Sequence, residues 1–358
     1  MLPSLDQLST VPSMVATATF FAIFWGVYVD LSEKRITKKL IETTWWTRAI
    51  SPTKSMMYNF GYPKEPNKRF PDGVTERAAR DFYAALISIC VAHVFCATPM
   101  LPVLIYSWEN SSELMKVSFV LGSLADLGYE MYDAIRFTIR TFTPNHPSPT
   151  PIEFFVILVL LHHTTALILV IPLNLHYVDR FEYHQTAVAL LCAASACYLA
   201  GAYKFTLDVY EMRKDFVLYK IIVLFQLAVI LYTRIYLWFP AALGLRAHMR
   251  EQNDTTFFNV ATVMITIFSI FNIVLVIDAV GAAAKWLPKS FPKSKEEKKE
   301  TAKLVRRTSG AGIVTPALPY LKALEAKRKV KSGVHVVIAM NRLSSHASSS
   351  SSGKNKRE

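Results

Sequence analysis

The sequence predicts an all-α, polytopic membrane protein of about seven transmembrane helices, and three observations support this fold class. Hydrophobic residues make up 52% of the 358 residues, and charged residues only 19%. The mean hydropathy is +0.26, although the net charge is +13. The apolar residues gather in runs of about 20 or more, which is the length that a helix needs to cross a bilayer. A chain that is both apolar and basic is expected to keep these two properties in separate regions.

Six segments are apolar enough to be predicted directly as spans. They cover residues 12–29, 82–108, 152–178, 184–206, 217–243 and 257–286. A seventh helix over residues 117–139 carries Asp126, Glu130 and Asp133. Each acid costs about 2.5–3.5 kcal/mol at the centre of a bilayer. We include this helix because an odd number of spans is needed to bring the basic segments to one side.

Lys and Arg predict the orientation of the chain. They cluster in the loop after the first span and in the C-terminal tail, whereas the loops predicted on the other side hold only Lys116, Arg180, Arg246 and Arg250. Because cytosolic loops are rich in Lys and Arg, we expect a lumenal N-terminus and a cytosolic C-terminus. The expected domains are an N-terminal transmembrane helix (1–30), a basic cytosolic loop (31–74), a helical bundle (75–287) and a basic, largely disordered tail (288–358).

The tail accounts for the net charge. From Lys285 onward there are 18 basic and 5 acidic residues, and the residues before it hold 22 of each. A nucleic-acid partner is therefore not needed to explain the basic excess, and we expect none. Lys356 and Lys354 stand third and fifth from the C-terminus. This spacing is typical of a retrieval signal read by a receptor, which predicts the endoplasmic reticulum membrane as the location.

Ionisable residues at bilayer depth usually face the interior of a bundle and mark function. Asp126, Glu130 and Asp133 follow i, i+4, i+7 spacing, so they share one face of the third helix. This stripe either lines a functional site or forms structural ion pairs with Arg234 or Lys204 of other helices. The four cysteines lie in apolar runs without metal-ligand spacing. We therefore predict no metal site and no bound cofactor.

The fourth helix carries the adjacent histidines His162 and His163 in the middle of an apolar run. An imidazole can act there as a base, an acid or a nucleophile. Neighbouring residues of a helix point about 100° apart, so the two rings are expected to diverge. His93 in the second helix is interpreted as a packed, hydrogen-bonded core residue.

Several motifs, in order along residues 75–285, resemble the TLC domain (TRAM–LAG1–CLN8 homology) of ceramide synthases. The first is Gly128-Tyr129-Glu130-Met131-Tyr132-Asp133, which is similar to an aromatic-rich motif ending in Asp. The second is Glu153-Phe154-Phe155 followed by His162-His163-Thr164-Thr165-Ala166-Leu167. The third is Tyr232-Thr233-Arg234-Ile235 with Pro240, and Lys204 stands where the family has a Lys after a small residue.

The resemblance implies a six-helix TLC bundle within the seven helices, and an acyltransferase of sphingolipid metabolism. It implies His162, His163 and Asp133 as catalytic residues, with His162 or His163 as base or acyl acceptor. Asp126, Glu130, Lys204 and Arg234 are then the expected substrate-binding residues, and for Lys204 the alternative is a side chain that extends to the cytosolic interface. The implied partners are membrane lipids and a fatty acyl-CoA co-substrate, and a homodimer is left open.

The fifth helix departs from the ceramide synthases. Where these enzymes have acidic or histidine residues, the aligned positions hold Ala193, Ala194, Cys197 and Gly201. Residues that orient or activate the site in the family are therefore missing. The alternative function is a non-catalytic protein of the endoplasmic reticulum that senses or regulates lipids, or handles cargo.

Overall fold

The computed structural model describes residues 3–41, 57, 62–63, 65–68, 70, 75–144, 146, 149–209 and 212–291. Much of the predicted basic loop and nearly all of the predicted tail lie outside these residues. The retrieval signal at Lys354 and Lys356 also lies outside them, so it stays a prediction.

The described residues form helices and their connections, with no strand among them. After a single turn at Leu5–Leu8, long helices follow in chain order: α1 Val11–Ile41; α2 Glu76–Ala97, continued by a 3₁₀ turn Thr98–Met100 into Leu101–Tyr106; α3 Glu113–Phe142; α4 Ile152–His176; α5 Phe181–Lys204; α6 Arg213–Glu251; and α7 Thr255–Trp286. The predicted all-α class is confirmed.

Six of these helices, all except α3, are long and apolar enough to cross a membrane. The described part of the chain therefore has the architecture of a polytopic membrane protein. The predicted third helix is present as a 30-residue helix. Because of its acids, it is not among the helices that are apolar enough to cross a membrane. Its role as a seventh span stays a prediction.

The first helix is longer than predicted. It continues to Ile41, about three turns beyond the expected end, because its last third is built from good helix formers. Asp30 and Lys34 pair at 2.6 Å across one turn, and Glu33 forms a salt bridge with Arg136 of α3. The charged segment that was expected to be a loop therefore begins as helix.

Side-chain caps mark the starts of several helices. Thr75 accepts a hydrogen bond from the Ala78 backbone N–H at the start of α2, and Ser112 accepts one from Met115 at the start of α3. Asp254 does the same for α7. These oxygens satisfy backbone donors that the first turn of a helix leaves free.

The distribution of polar and apolar residues is the reverse of a water-soluble protein. Large apolar side chains cover the outside, for example Ile105 at 70% and Ile23 at 66% exposure. Charged and polar side chains are buried inside: His93, Glu130, Asp133, His163, His184, Lys204, Arg234 and Asn272. An apolar exterior of this extent is expected where the surrounding solvent is lipid.

The helix α3 is held by close packing against α1. A Cβ atom at Gly128 would lie 2.6 Å from the Ala18 carbonyl oxygen, so only glycine permits this approach. Trp25 of α1 donates its Nε1–H to the Ala125 carbonyl at 2.9 Å. Because α3 also contacts α2 and α4, its acidic face is directed into the bundle.

Candidate active site

A cavity of about 1120 Å³ lies inside the bundle. Along α3 its wall extends from Ser123 to Phe142, which corresponds to about 28 Å of helix. Ligand pockets usually measure about 300–1,000 Å³. This cavity is therefore large enough for a long, narrow ligand such as a lipid chain. Most of its wall is apolar, and its polar groups are concentrated where α3 faces α4.

The histidine pair lies in an irregular part of α4. Residues Val156–His163 form a π-helical segment, which turns more widely than an α-helix, and regular α-helix resumes at Thr164. Segments of π-helix are rare and are often found at functional sites. The sequence carries no clear signal for this segment, because its residues are ordinary apolar helix residues.

His163 lies between two carboxylates of α3. Its Nε2 atom is 3.2 Å from Asp133 Oδ2, and its Nδ1 atom faces Glu130 Oε2. Only 4% of its side chain is exposed. The ring stacks on Phe137 with centroids 6.3 Å apart. Both ring nitrogens of His163 are therefore directed at acids and not at the open cavity.

His162 has a different environment. Its Nε2 atom is 3.5 Å from Glu130 Oε1, and 20% of its side chain is exposed. The ring stacks on Phe271 of α7, with centroids 4.7 Å apart and planes 18° apart. Its Nδ1 atom has no hydrogen-bond partner. The two rings diverge as expected, yet both approach Glu130.

The three acids of α3 therefore do not have equal positions. Glu130 approaches both histidines, whereas Asp133 approaches His163 alone. The sequence prediction assigned Asp133 to catalysis and Glu130 to substrate binding. The structure brings both to the histidine pair. Asp126 also lines the cavity, and its Oδ1 atom is buried without a hydrogen-bond partner.

Arg234 lies in a second π-helical segment, Leu231–Leu237 of α6. It lines the cavity, donates a hydrogen bond from Nη1 to Asn272 Oδ1 at 3.3 Å, and has its guanidinium 5.8 Å from the ring centroids of Phe268 and Phe271. Arg234 is thus held at the wall of the cavity by α7.

Lys204 lies behind the wall of the cavity. Its Nζ donates to Gln226 Oε1 at 2.8 Å, and Gln226, not Lys204, lines the cavity. Only 7% of Lys204 is exposed, so the extended surface conformation that sequence analysis left open is not observed either. The assignment of Lys204 to substrate binding stays a prediction.

The alternative of a structural ion-pair stripe on α3 is not observed among the described residues. The salt bridges of Arg136 and Arg140 are with Glu33 of α1. Neither Arg234 nor Lys204 pairs with an acid of α3. The acids face the histidines instead.

The fifth-helix positions that differ from ceramide synthases all line the cavity. Ala193, Ala194, Cys197 and Gly201 are small, so they leave space where acidic side chains would project. The carboxylates nearest the histidine pair consequently come from α3.

Sequence reasoning missed a second polar cluster, which we call the Ser123 network. Asn174 of α4 donates to Ser123 Oγ at 2.8 Å, and the Tyr183 hydroxyl donates to Asn174 Oδ1 at 3.2 Å. Ser123 and Asn174 are isolated polar residues in apolar stretches, and Tyr183 lies in a polar helix start, so no local pattern identifies the three as partners.

Comparisons with known proteins give no relative for this chain. No family model matches it, no curated protein matches its sequence, and no solved structure matches its fold. The TLC resemblance therefore depends on the motifs quoted above.

Proposed function

We propose that the chain is an integral membrane enzyme that transfers a fatty acyl group from acyl-CoA to a lipid amine. The observation that carries this proposal is the position of His162 on the cavity wall. There Nε2 faces Glu130, and Nδ1 is buried and has no hydrogen-bond partner. The TLC resemblance of the motifs around Glu130 and the histidine pair supports the same reaction class.

The geometry favours His162 over His163 as the reacting imidazole. His162 is the more exposed of the two, whereas His163 has a carboxylate at each nitrogen. A general base needs a free lone pair within hydrogen-bond reach of the proton that it removes. We assign the positioning role to Glu130, which approaches His162 directly, and to His163 and Asp133 behind it.

The proposed reaction requires one proton transfer at His162. The imidazole removes a proton from the lipid amine as the nitrogen attacks the thioester carbonyl. The new C–N bond forms, the C–S bond breaks, and the proton passes from the imidazolium to the CoA thiolate that leaves. A positioned acid–base group of this kind contributes about 10²–10⁴-fold to rate.

The shape and lining of the cavity suit an acyl chain. The wall around the histidine pair is formed by apolar and aromatic side chains, among them Phe137, Leu158 and Phe268. A long chain gains about 0.8 kcal/mol per CH₂ group that leaves water. We further propose that α3 is the seventh span, that the N-terminus is lumenal and the C-terminus cytosolic, and that the protein resides in the endoplasmic reticulum.

The test is acyl transfer by the purified full chain in liposomes. Radiolabelled acyl-CoA of several chain lengths is supplied with a long-chain base, and the N-acyl product is measured. We expect product from the parent and a loss of about 10²–10⁴-fold in His162→Ala. Absence of product at every chain length would overturn the proposal.

The small residues that α5 presents to the cavity favour a second candidate, a non-catalytic lipid-binding protein. In that case a photoactivatable fatty acid would crosslink to cavity residues of the parent and of His162→Ala equally, and neither protein would form product. The two functions therefore give different results in the same preparation.

A further inference from the structure

We propose that His93, Asp126 and Glu130 bind a divalent transition-metal ion at the wall of the cavity. His93 lies on α2, and the two acids lie one turn apart on α3. One donor atom from each residue lies within 4.8 Å of the others. All three residues belong to the lining of the cavity.

The spacing of the donor atoms suits a small ion. Zinc lies about 2.0–2.2 Å from nitrogen and oxygen ligands, so its ligand atoms stand about 3–4 Å from one another. The three groups need only a small adjustment to reach that arrangement. Three protein ligands with a free fourth position are typical of zinc sites that are open to a substrate or water.

His93 is already oriented as a metal ligand. Its Nδ1–H donates to the Ile89 carbonyl oxygen at 2.8 Å, and because a carbonyl can only accept, this bond determines the tautomer. The Nε2 atom is then unprotonated and carries the lone pair that a metal ion binds. Metal-bound histidines almost always donate their second nitrogen in this way.

Asp126 Oδ1 is buried and has no hydrogen-bond partner. The two oxygens of Glu130 face histidine nitrogens, Oε1 that of His162 and Oε2 that of His163. Glu130 is only 2% exposed. Buried carboxylates are costly unless a cation or a proton neutralises them. The nearby cationic side chains are engaged elsewhere: Arg136 with Glu33, Arg234 with Asn272, and Lys204 with Gln226.

A second group of donors, Glu130 with His162 and His163, also lies within 4.8 Å. We favour the His93 set for two reasons. His163 directs both nitrogens at carboxylates, with Nδ1 in contact with Glu130. Neither His162 nor His163 is hydrogen-bonded to a backbone carbonyl of the described residues, so the backbone does not preset the tautomer of either ring.

One imidazole and two carboxylates form a ligand set for Zn²⁺, Mn²⁺ or Fe²⁺ and not for the softer copper(I). The metal site is a property beyond the proposed acyl transfer, because two of its three ligands, His93 and Asp126, have no role in that reaction. Glu130 is the link between the two sites, since it approaches His162 and His163 and also belongs to the His93 set.

The experiment measures zinc in the detergent-purified full chain. Protein is treated with EDTA, dialysed against zinc chloride and then against buffer, and its metal content is determined by mass spectrometry. We expect about one Zn²⁺ per chain in the parent. Content should fall about tenfold or more in His93→Gln, Asp126→Asn and Glu130→Gln.

Three control variants separate this set from its neighbours. Asp133→Asn removes an acid from the same face of α3, His162→Ala removes the rival ligand, and His184→Gln removes a buried histidine that bonds the Val178 carbonyl. All three should keep the ion. Loss of zinc in His162→Ala with retention in His93→Gln would overturn the assignment.

Thermal melting of the parent tests the site without any variant. A ligand that binds only the folded protein raises its apparent stability. EDTA should therefore lower the melting temperature, and zinc chloride should restore it. A parent that retains no zinc and shows no shift would overturn the proposal, whatever its acyl-transfer activity, because neither measurement depends on turnover.

Discussion

Two polar clusters lie along α3 and differ in how completely their polar groups are hydrogen-bonded. In the Ser123 network, the Asn174 amide and the Tyr183 hydroxyl have partners at 2.8 and 3.2 Å. The second cluster comprises Glu130, Asp133, His162 and His163, and we call it the Glu130 cluster. Here histidine nitrogens lie 3.2 to 3.5 Å from carboxylate oxygens, but several of these polar atoms have no hydrogen bond. Both clusters are buried among apolar helices.

This difference separates a structural role from a chemical one. A polar group inside a bilayer is stabilising when it is fully hydrogen-bonded, and costly when it is not. The Ser123 network is complete without a ligand, so its function is to join α3, α4 and α5. The Glu130 cluster is incomplete, which is expected of a site that binds a substrate, a proton or an ion. The first and third predictions separate these roles, and the second tests how closely α3 packs against α1.

The largest expected effect is on catalysis. His162→Ala should reduce acyl transfer by about 10²–10⁴-fold, which corresponds to about 3–5.5 kcal/mol in the barrier. Because the ring also stacks on Phe271 of α7, the melting temperature in detergent should fall as well, so activity is compared at a temperature at which both proteins are folded. Full activity in this variant would show that the Glu130 cluster does not have the chemical role that distinguishes it from the Ser123 network.

The next effect is on packing. Gly128 lies between the two clusters and faces α1, and a Cβ there would also lie 2.6 Å from Phe21 Cβ. Gly128→Ala should lower the free energy of unfolding by about 1–3 kcal/mol, as overpacking usually does. The matched control is Gly281→Ala in α7, where a Cβ meets nothing within 4 Å. Equal melting temperatures for the two variants would contradict the close approach of α1 and α3.

A smaller effect is expected in the Ser123 network. Asn174→Ala removes the residue that joins Ser123 and Tyr183, so it should cost about 1–2 kcal/mol of stability. Acyl transfer should change by less than about threefold, because the network contains no reacting group. Loss of activity without loss of stability would indicate that this network has a catalytic role and not a structural one.

The smallest effect concerns a single hydrogen bond. Tyr183→Phe removes only the hydroxyl that donates to Asn174 and keeps the ring, which contacts Phe119. Side-chain hydrogen bonds between membrane helices contribute about 0.6 kcal/mol on average. The expected result is a small decrease in melting temperature. A decrease as large as that of Asn174→Ala would indicate that the tyrosine bond dominates the network.

Much of the fold follows from the sequence because apolar runs are local signals. The segment predicted over 257–286 is observed at Thr255–Trp286, and the one predicted over 184–206 at Phe181–Lys204. Ends are less predictable: α1 continues to Ile41, because charged residues with high helix propensity extend a helix beyond its apolar part.

The candidate site, like the fold, could be predicted from the sequence only in part. The i, i+4, i+7 spacing of Asp126, Glu130 and Asp133 predicted a common face, and all three line one cavity with the histidine pair. Two features were not predictable. Glu130 approaches both histidines because α3 and α4 pack at that level, and His93 joins Asp126 because α2 packs on the other side.

The sequence by itself determined that this chain is helical and apolar enough for a membrane, and that its excess charge lies in the tail. Composition and periodicity carry that information because each helix satisfies its own backbone hydrogen bonds in lipid. Only the tertiary structure decided which polar residues are satisfied and which are not. That distinction depends on distances between side chains of different helices, which no local pattern encodes.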